Sequence, residues 1–148
     1  MKLGLIIGGG VLALVLLLYV VRLIALHYVS EKGNDTVAEH YKPEEIVIKD
    51  PQADGRGLLS KGVAQRGNGA LVLTKKELAF FPITGSDFKV PLSNVTGVEI
   101  VHEHNGYSGR PLLQVHFKTD TGSTDAFAWY VVESETWRKD IDSLRTSN

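Results

Sequence analysis

Hydrophobic and polar positions divide the chain into three regimes. Leu3 to Val21 is an apolar run without a single charge. As a helix it spans about 28 Å, close to the hydrocarbon thickness of a bilayer. A helix pairs its own backbone N–H and C=O groups, which a segment in lipid must do. Residues 31–55 lose this character and become polar and acidic. From Gly57 onward, short apolar runs alternate with turn residues, an all-β pattern.

Within that last regime the expected strands follow one another closely. Leu58–Gln65 is the first, and Arg66-Gly67-Asn68-Gly69 reverses the chain, because Gly and Asn accept the positive φ of tight turns. Ala70–Thr74 follows, then Leu78–Phe81 up to Pro82, then Asp87–Val90 up to Pro91. In the fifth, Thr96, Val98 and Ile100 point one way and Glu99 and Glu103 the other. In the sixth, Leu113, Val115 and Phe117 line the inner face, with Gln114, His116 and Lys118 outside. Phe127, Trp129 and Val131 fill the seventh. Beyond Ser134, a plausible N-cap, Trp137, Ile141 and Leu144 recur at helical spacing and define one apolar stripe.

The expected organisation is an anchor helix over residues 1–29, an acidic linker over 30–56 and a folded domain over 57–146. Residues 31–55 of the linker carry seven acids against three bases, interrupted by Gly33, Pro43, Pro51 and Gly55. Only Ile46-Val47-Ile48 within it alternates, as a short edge strand would. A cleaved signal is disfavoured, because the apolar run is long and Leu17 to Arg22 offers no small-x-small site. Arg22 suits the lipid boundary, and Tyr19 and Tyr28 suit the interfacial level. Lys2 stands on one side of the run, and Arg22, Lys32 and Lys42 on the other, so the positive-inside bias leans toward a cytoplasmic domain. Gly4 and Gly8 form a GxxxG pattern, with Gly9 and Ala13 as a second small pair. Such a face permits helix–helix self-association or docking on other membrane subunits, although glycine is also simply common in membrane helices.

Charge and composition exclude some roles. Fourteen of the 16 bases lie beyond Arg22 with all 17 acids, a net charge of −3, which argues against a nucleic-acid partner. The chain has no cysteine, which removes disulfides and thiolate metal sites. His102-Glu103-His104 would put two imidazoles on one strand face, but His116 is a poor third ligand, so neither a metal nor another cofactor is expected. Serines and aspartates cluster in turns, and no nucleophile–base set emerges. Asn34-Asp35-Thr36 and Asn94-Val95-Thr96 match the glycosylation acceptor pattern, relevant only in a secretory lumen.

Gly69-Ala70-Leu71-Val72-Leu73-Thr74, Leu78, Phe80, Val90-Pro91-Leu92 and Val95-Thr96-Gly97-Val98-Glu99, followed by a Trp-bearing helix, resemble the pleckstrin-homology-like superfamily, in its bacterial PH-like and GRAM flavour. The resemblance covers about residues 57–145. It implies a mainly β fold, a seven-stranded barrel closed by a C-terminal α-helix, serving as a non-enzymatic binding or scaffolding module. Arg56, Lys61, Arg66, Lys75 and Lys76 stand in a stretch with no acid. The resemblance suggests that edge as a face for anionic lipid or a partner, although the dense basic pattern of phosphoinositide-binding members is missing. The same charges also suit a solvated face that keeps an edge strand from pairing. Tyr107, between His104 and Arg110, is the exposed aromatic best placed for a protein contact, or an ordinary loop tyrosine. The expected role is an accessory or structural subunit of a membrane complex, the alternative a lipid-sensing domain.

Overall fold

The computed structural model describes residues 2–62 and 65–147, with side chains from Gly10 onward. Helix α1 (Lys2–His40) is followed by β1 (Ile46–Leu58), β2 (Arg66–Thr74), β3 (Glu77–Pro82), β4 (Phe88–Pro91), β5 (Val95–His104), β6 (Tyr107–Lys118), β7 (Thr124–Tyr130) and α2 (Ser134–Ser147). The strands form one antiparallel sheet in the order β4-β3-β2-β1-β7-β6-β5. Seven strands and a closing helix were expected, but the barrel does not close, since β4 and β5 are not hydrogen-bonded to each other. Helix α2 instead packs on β5, β6 and the short turn Leu92–Asn94 that joins the two free edges.

Two expectations from the sequence change. Residues 30–56, expected to be linker, are structured: α1 runs on to His40, and Ile46 opens a strand of 13 residues. Nor is that strand at an edge, because β1 pairs with both β2 and β7. The first strand is therefore β1, while Leu59–Lys61, inside the expected Leu58–Gln65 strand, is a single 3-10 turn. Val63 and Ala64 of that strand lie outside the described residues. Pro51 is tolerated in β1 because the register shifts between Asp50 and Ala53, a bulge that relieves it of a ladder bond. In β5, a shift between Val95 and Gly97 leaves Thr96 exposed while Val98 and Ile100 face the core.

The main core lies inside the curled sheet. Phe127 and Trp129 stack with centroids 4.2 Å apart, and Phe80 and Phe88 pack against both. Trp137 and Ile141 of α2 complete this cluster, as the helical stripe implied. A second cluster lies on the outside. There Val37 of α1 is 1% exposed among Ala70 and Val72 of β2 and Ala79 and Phe81 of β3. Both faces of β2 are therefore covered, so its residues Ala70 to Leu73 are all buried rather than alternating.

Helix α1 is seated by specific contacts. A Cβ at Gly33 would drive into the carbonyl oxygen of Pro51, so only glycine allows this approach. The amide of Gln52 donates to Leu26 O at 3.0 Å, and Lys49 Nζ donates to Asn34 Oδ1 at 2.7 Å. At the far end, Tyr41 donates its hydroxyl to Glu77 Oε1 at 2.5 Å. Burial, then the Glu77 carboxylate, push the Tyr41 phenol well above the usual tyrosine range. The raised folded-state pKa means this contact stabilises below the ordinary phenol pKa and is lost as pH rises through the shifted one. Alkaline titration of the native chain, followed by phenolate absorbance, should show one of the 5 tyrosines ionising last. Tyr41→Phe should remove that late phase.

Candidate binding surface at the β5–β6 hairpin

Small outer residues prepare this surface. Ala126 and Ala128 of β7 are fully buried although their side chains alternate with the inward Phe127 and Trp129. The β5–β6 hairpin folds back over β7 and reaches β1, turning at Gly106 and at Gly109, whose φ of 146° favours glycine. His104, 3% exposed, donates through Nε2 to Gly57 O at 2.8 Å, and its Nδ1 meets the Gln114 side-chain amide at 2.7 Å. Asn105, at φ 49°, turns the tip, and its Nδ2 lies within 3.1 Å of the carbonyls of Arg56, Leu58 and Gly62. Two hydrogens serve three acceptors, so the amide is shared among them. Asn105→Ala should cost about 1–3 kcal/mol, through the lost partners and a side chain unsuited to left-handed backbone. Chemical denaturation would measure it, with Asn105→Gly milder because only the hydrogen bonds are lost.

Around this tip a ladder of arginines and tyrosines forms. The Arg56 guanidinium lies 4.2 Å from the Tyr107 ring centroid and pairs with Asp54 at 2.5 Å. Arg110 lies 3.9 Å from the Tyr130 ring, and its backbone N–H donates to the Tyr107 hydroxyl at 3.0 Å. That tyrosine holds the Arg110 pKa above its ordinary value, so its charge is permanent. Arg66 donates to Asn105 O and, at 3.4 Å, to Arg56 O. Lys61 is exposed in the turn that ends in Gly62.

The structure thus gathers only part of the expected basic face. Arg56, Lys61 and Arg66 meet at the hairpin, and Arg56 and Arg66 are cross-strand partners. Lys75 and Lys76 lie beyond the other end of β2, whose nine residues span about 30 Å. There they border a groove with His40, Tyr41, Glu44, Glu45 and Glu77. Arg110 and Tyr130 were not singled out from the sequence, because only the folded-back hairpin brings β6 over β7. Gly4 and Gly8 lie in α1, ahead of Gly10, where the description of side chains and their packing begins.

The histidines do not share a face. A register shift between Val101 and Glu103 leaves His102 exposed while His104 is buried. Gln114, expected outside, is 7% exposed beneath the same hairpin, and His116 contacts Glu99 at 2.7 Å. Among the described residues, no group of three or more His, Asp or Glu is placed to hold a metal.

Neither a protein-family model nor a curated protein matches the chain. Solved structures do. A chain described as "The 8S snRNP Assembly Intermediate" superposes with a TM-score of 0.58 at 10% identity, covering 74% of this chain and 90% of that one. The "Vps36 N-terminal PH domain" superposes with a TM-score of 0.52 at 12% identity, covering 69% of this chain and 79% of that one. At such identities the likeness concerns the fold alone, and that fold is pleckstrin-homology-like, preceded by one helix long and apolar enough to cross a membrane.

Proposed function

We propose that the chain is a single-pass membrane protein that presents a PH-like, non-catalytic binding domain, with the domain on the cytoplasmic side. The observation that carries this reading is α1. One helix of 39 residues runs from the apolar run into the outer core cluster without a break. Lipid and domain are then joined by a rod rather than a tether, as suits a subunit that must present a surface at a fixed height and angle. Accessory or scaffolding service in a membrane assembly is the role that this geometry suits. Self-association through Gly4 and Gly8 or docking on neighbouring subunits would be the means.

Alkaline carbonate extraction of native membranes tests the anchor. The intact chain should stay with the pellet, and recovery of a form beginning near residue 27 in the supernatant would sink the reading. For the assembly role, gentle detergent solubilisation should yield a particle larger than the monomer. Recovery only as a free monomer would remove that part while leaving the anchor standing.

A lipid-sensing role is the second reading, favoured by Arg56, Lys61, Arg66 and Arg110 around one hairpin. Lys75 and Lys76 belong to a different part of the surface.

A further inference from the structure

The path of α1 over the sheet determines which face of the domain looks back along the helix toward its apolar end. Between Gly33, which touches Pro51 of β1, and His40, whose ring lies 4.5 Å from Phe81 of β3, the helix rises about 10 Å. Two strand spacings are also about 10 Å, so α1 runs nearly across the strands. Pro51 and Phe81 lie on nearly the same rung, since Ala70 pairs with Phe81 and the β1 bulge sits opposite Ala70. Followed the other way, toward the N-terminus, this rung passes beyond β1 to the end of β7 and then to β6. Ser30 of α1 accordingly shares a groove with Pro51, Gln52, Val132 and Glu133. Extending the β6–β7 register by three residues past Leu113 opposite Trp129 sets Val132 level with Arg110. The sheet curls away from the helix past β1, which turns the outer side of β7 and β6, with the folded-back hairpin, toward the apolar end of α1.

The heights agree. The apolar run ends at Val21, and the first helix contact with the domain, Leu26 O with Gln52, lies about 8 Å further on. The polar layer on each side of a bilayer is about 5–8 Å thick, so Gln52 stands at its outer limit. His40, beside Lys76, stands about 27 Å beyond Arg22.

We propose that the outer side of the β5–β6 hairpin and the loop Val131–Glu133 lie on the headgroups of the bilayer that holds α1, with Arg110 and Arg56 contacting lipid phosphate diesters. The proposal rests on the anchored reading above. The chemistry of the surface fits it. Tyr107 and Tyr130 are amphipathic rings of the kind that collect at membrane interfaces, each with a guanidinium carbon about 4 Å over its centre. Guanidinium forks match phosphate oxygens, and the ring beneath each one limits the entropy lost on contact. Val132, 67% exposed beside them, offers an apolar contact to the same layer. Asp54 is already paired with Arg56, so it neutralises one charge without repelling the surface.

The absence of cysteine permits a direct test in the full-length chain. Nitroxide labels are placed singly at Leu17→Cys, Val132→Cys and Lys76→Cys. The labelled proteins are reconstituted in phosphatidylcholine–phosphatidylglycerol vesicles containing a nickel-chelating headgroup lipid. Leu17 should respond to oxygen and not to nickel. Val132 should show a several-fold larger nickel effect than Lys76, and Arg110→Glu should reduce that effect. Equal nickel effects at Val132 and Lys76, with Leu17 still in the oxygen-rich core, would overturn the proposal and leave the anchor intact. A Leu17 label outside the core would overturn both. A Val132 label immobilised equally in detergent micelles would assign the face to protein contact and overturn the lipid assignment.

Discussion

Gly33→Leu is expected to free the domain from its helix without unfolding it. The new Cβ would meet the Pro51 carbonyl of β1, backbone that cannot yield as a flexible side chain would. The helix must lift or rotate. Val37, 1% exposed four residues on, then leaves its seat between β2 and β3, at a cost of about 1.5–3 kcal/mol. The Leu26–Gln52 and Asn34–Lys49 bonds are lost with it. The inner core shares no residue with this contact, so near-UV circular dichroism of its tryptophans should persist. Proteolysis within residues 41–45 should accelerate strongly, and a spin label on the domain should gain mobility relative to the helix. Gly33→Ala should do the same to a lesser degree, since its methyl meets the same carbonyl. Unchanged cleavage in both variants would show that α1 is not held by this contact.

The largest loss of stability is expected from Trp129→Ala. This side chain is fully buried, stacked on Phe127 at an interplanar angle of 1° and in contact range of Phe80 and Phe88. Removing a buried tryptophan costs about 3–5 kcal/mol, because the cavity adds to the lost transfer energy. For a domain of this size the midpoint of thermal unfolding should fall by more than about 10 °C. Trp129→Phe provides the informative contrast. The indole Nε1 is buried without a hydrogen-bond partner among the described residues, so the full-length side chain already carries a desolvation cost. Phenylalanine relieves that cost while leaving a smaller void, and the double substitution with Gly55→Ala would then be accommodated better, since a Cβ at Gly55 meets the Phe80 ring at 2.8 Å next to this site. A Trp129→Phe loss as large as that of Trp129→Ala would argue that the N–H has a partner.

Much of this fold is legible in the sequence, and the gaps have physical causes. Period-two alternation marks β5, β6 and the inner face of β7, because one side of each meets the core. The stripe Trp137, Ile141, Leu144 marks α2 for the same reason. The run Ala70 to Leu73, followed by Leu78 to Phe81, reads as buried on both sides, which already implies a covering element. That element could not be identified by local pattern, since α1 covers it with one buried apolar residue, Val37, and the His40 ring, set among Asn34, Asp35, Thr36 and Glu39. Polar helices of this kind look like linkers. β1 hid for a related reason: Asp50, Pro51 and Gly55 are poor strand residues, admitted here by a bulge, by the buried Asp50 carboxylate accepting from Gln52 N and Val132 N, and by the close approach of Phe80. At the candidate surface, Arg56, Lys61 and Arg66 stood out by charge, and Tyr107 by its glycine loop. Their meeting with Arg110 and Tyr130 depends on the hairpin folding across β7, which two alanines permit and no periodicity announces.

A jointless shaft has a mechanical corollary. With α1 spanning a bilayer as proposed, lipid thinner than the apolar run would make the span lean, and the lean would pass to everything bolted to it. The sheet would pitch with the shaft, driving one rim of the domain toward the lipid and lifting the opposite rim. Bilayer thickness would thereby become an input that the aqueous half of the protein registers as attitude.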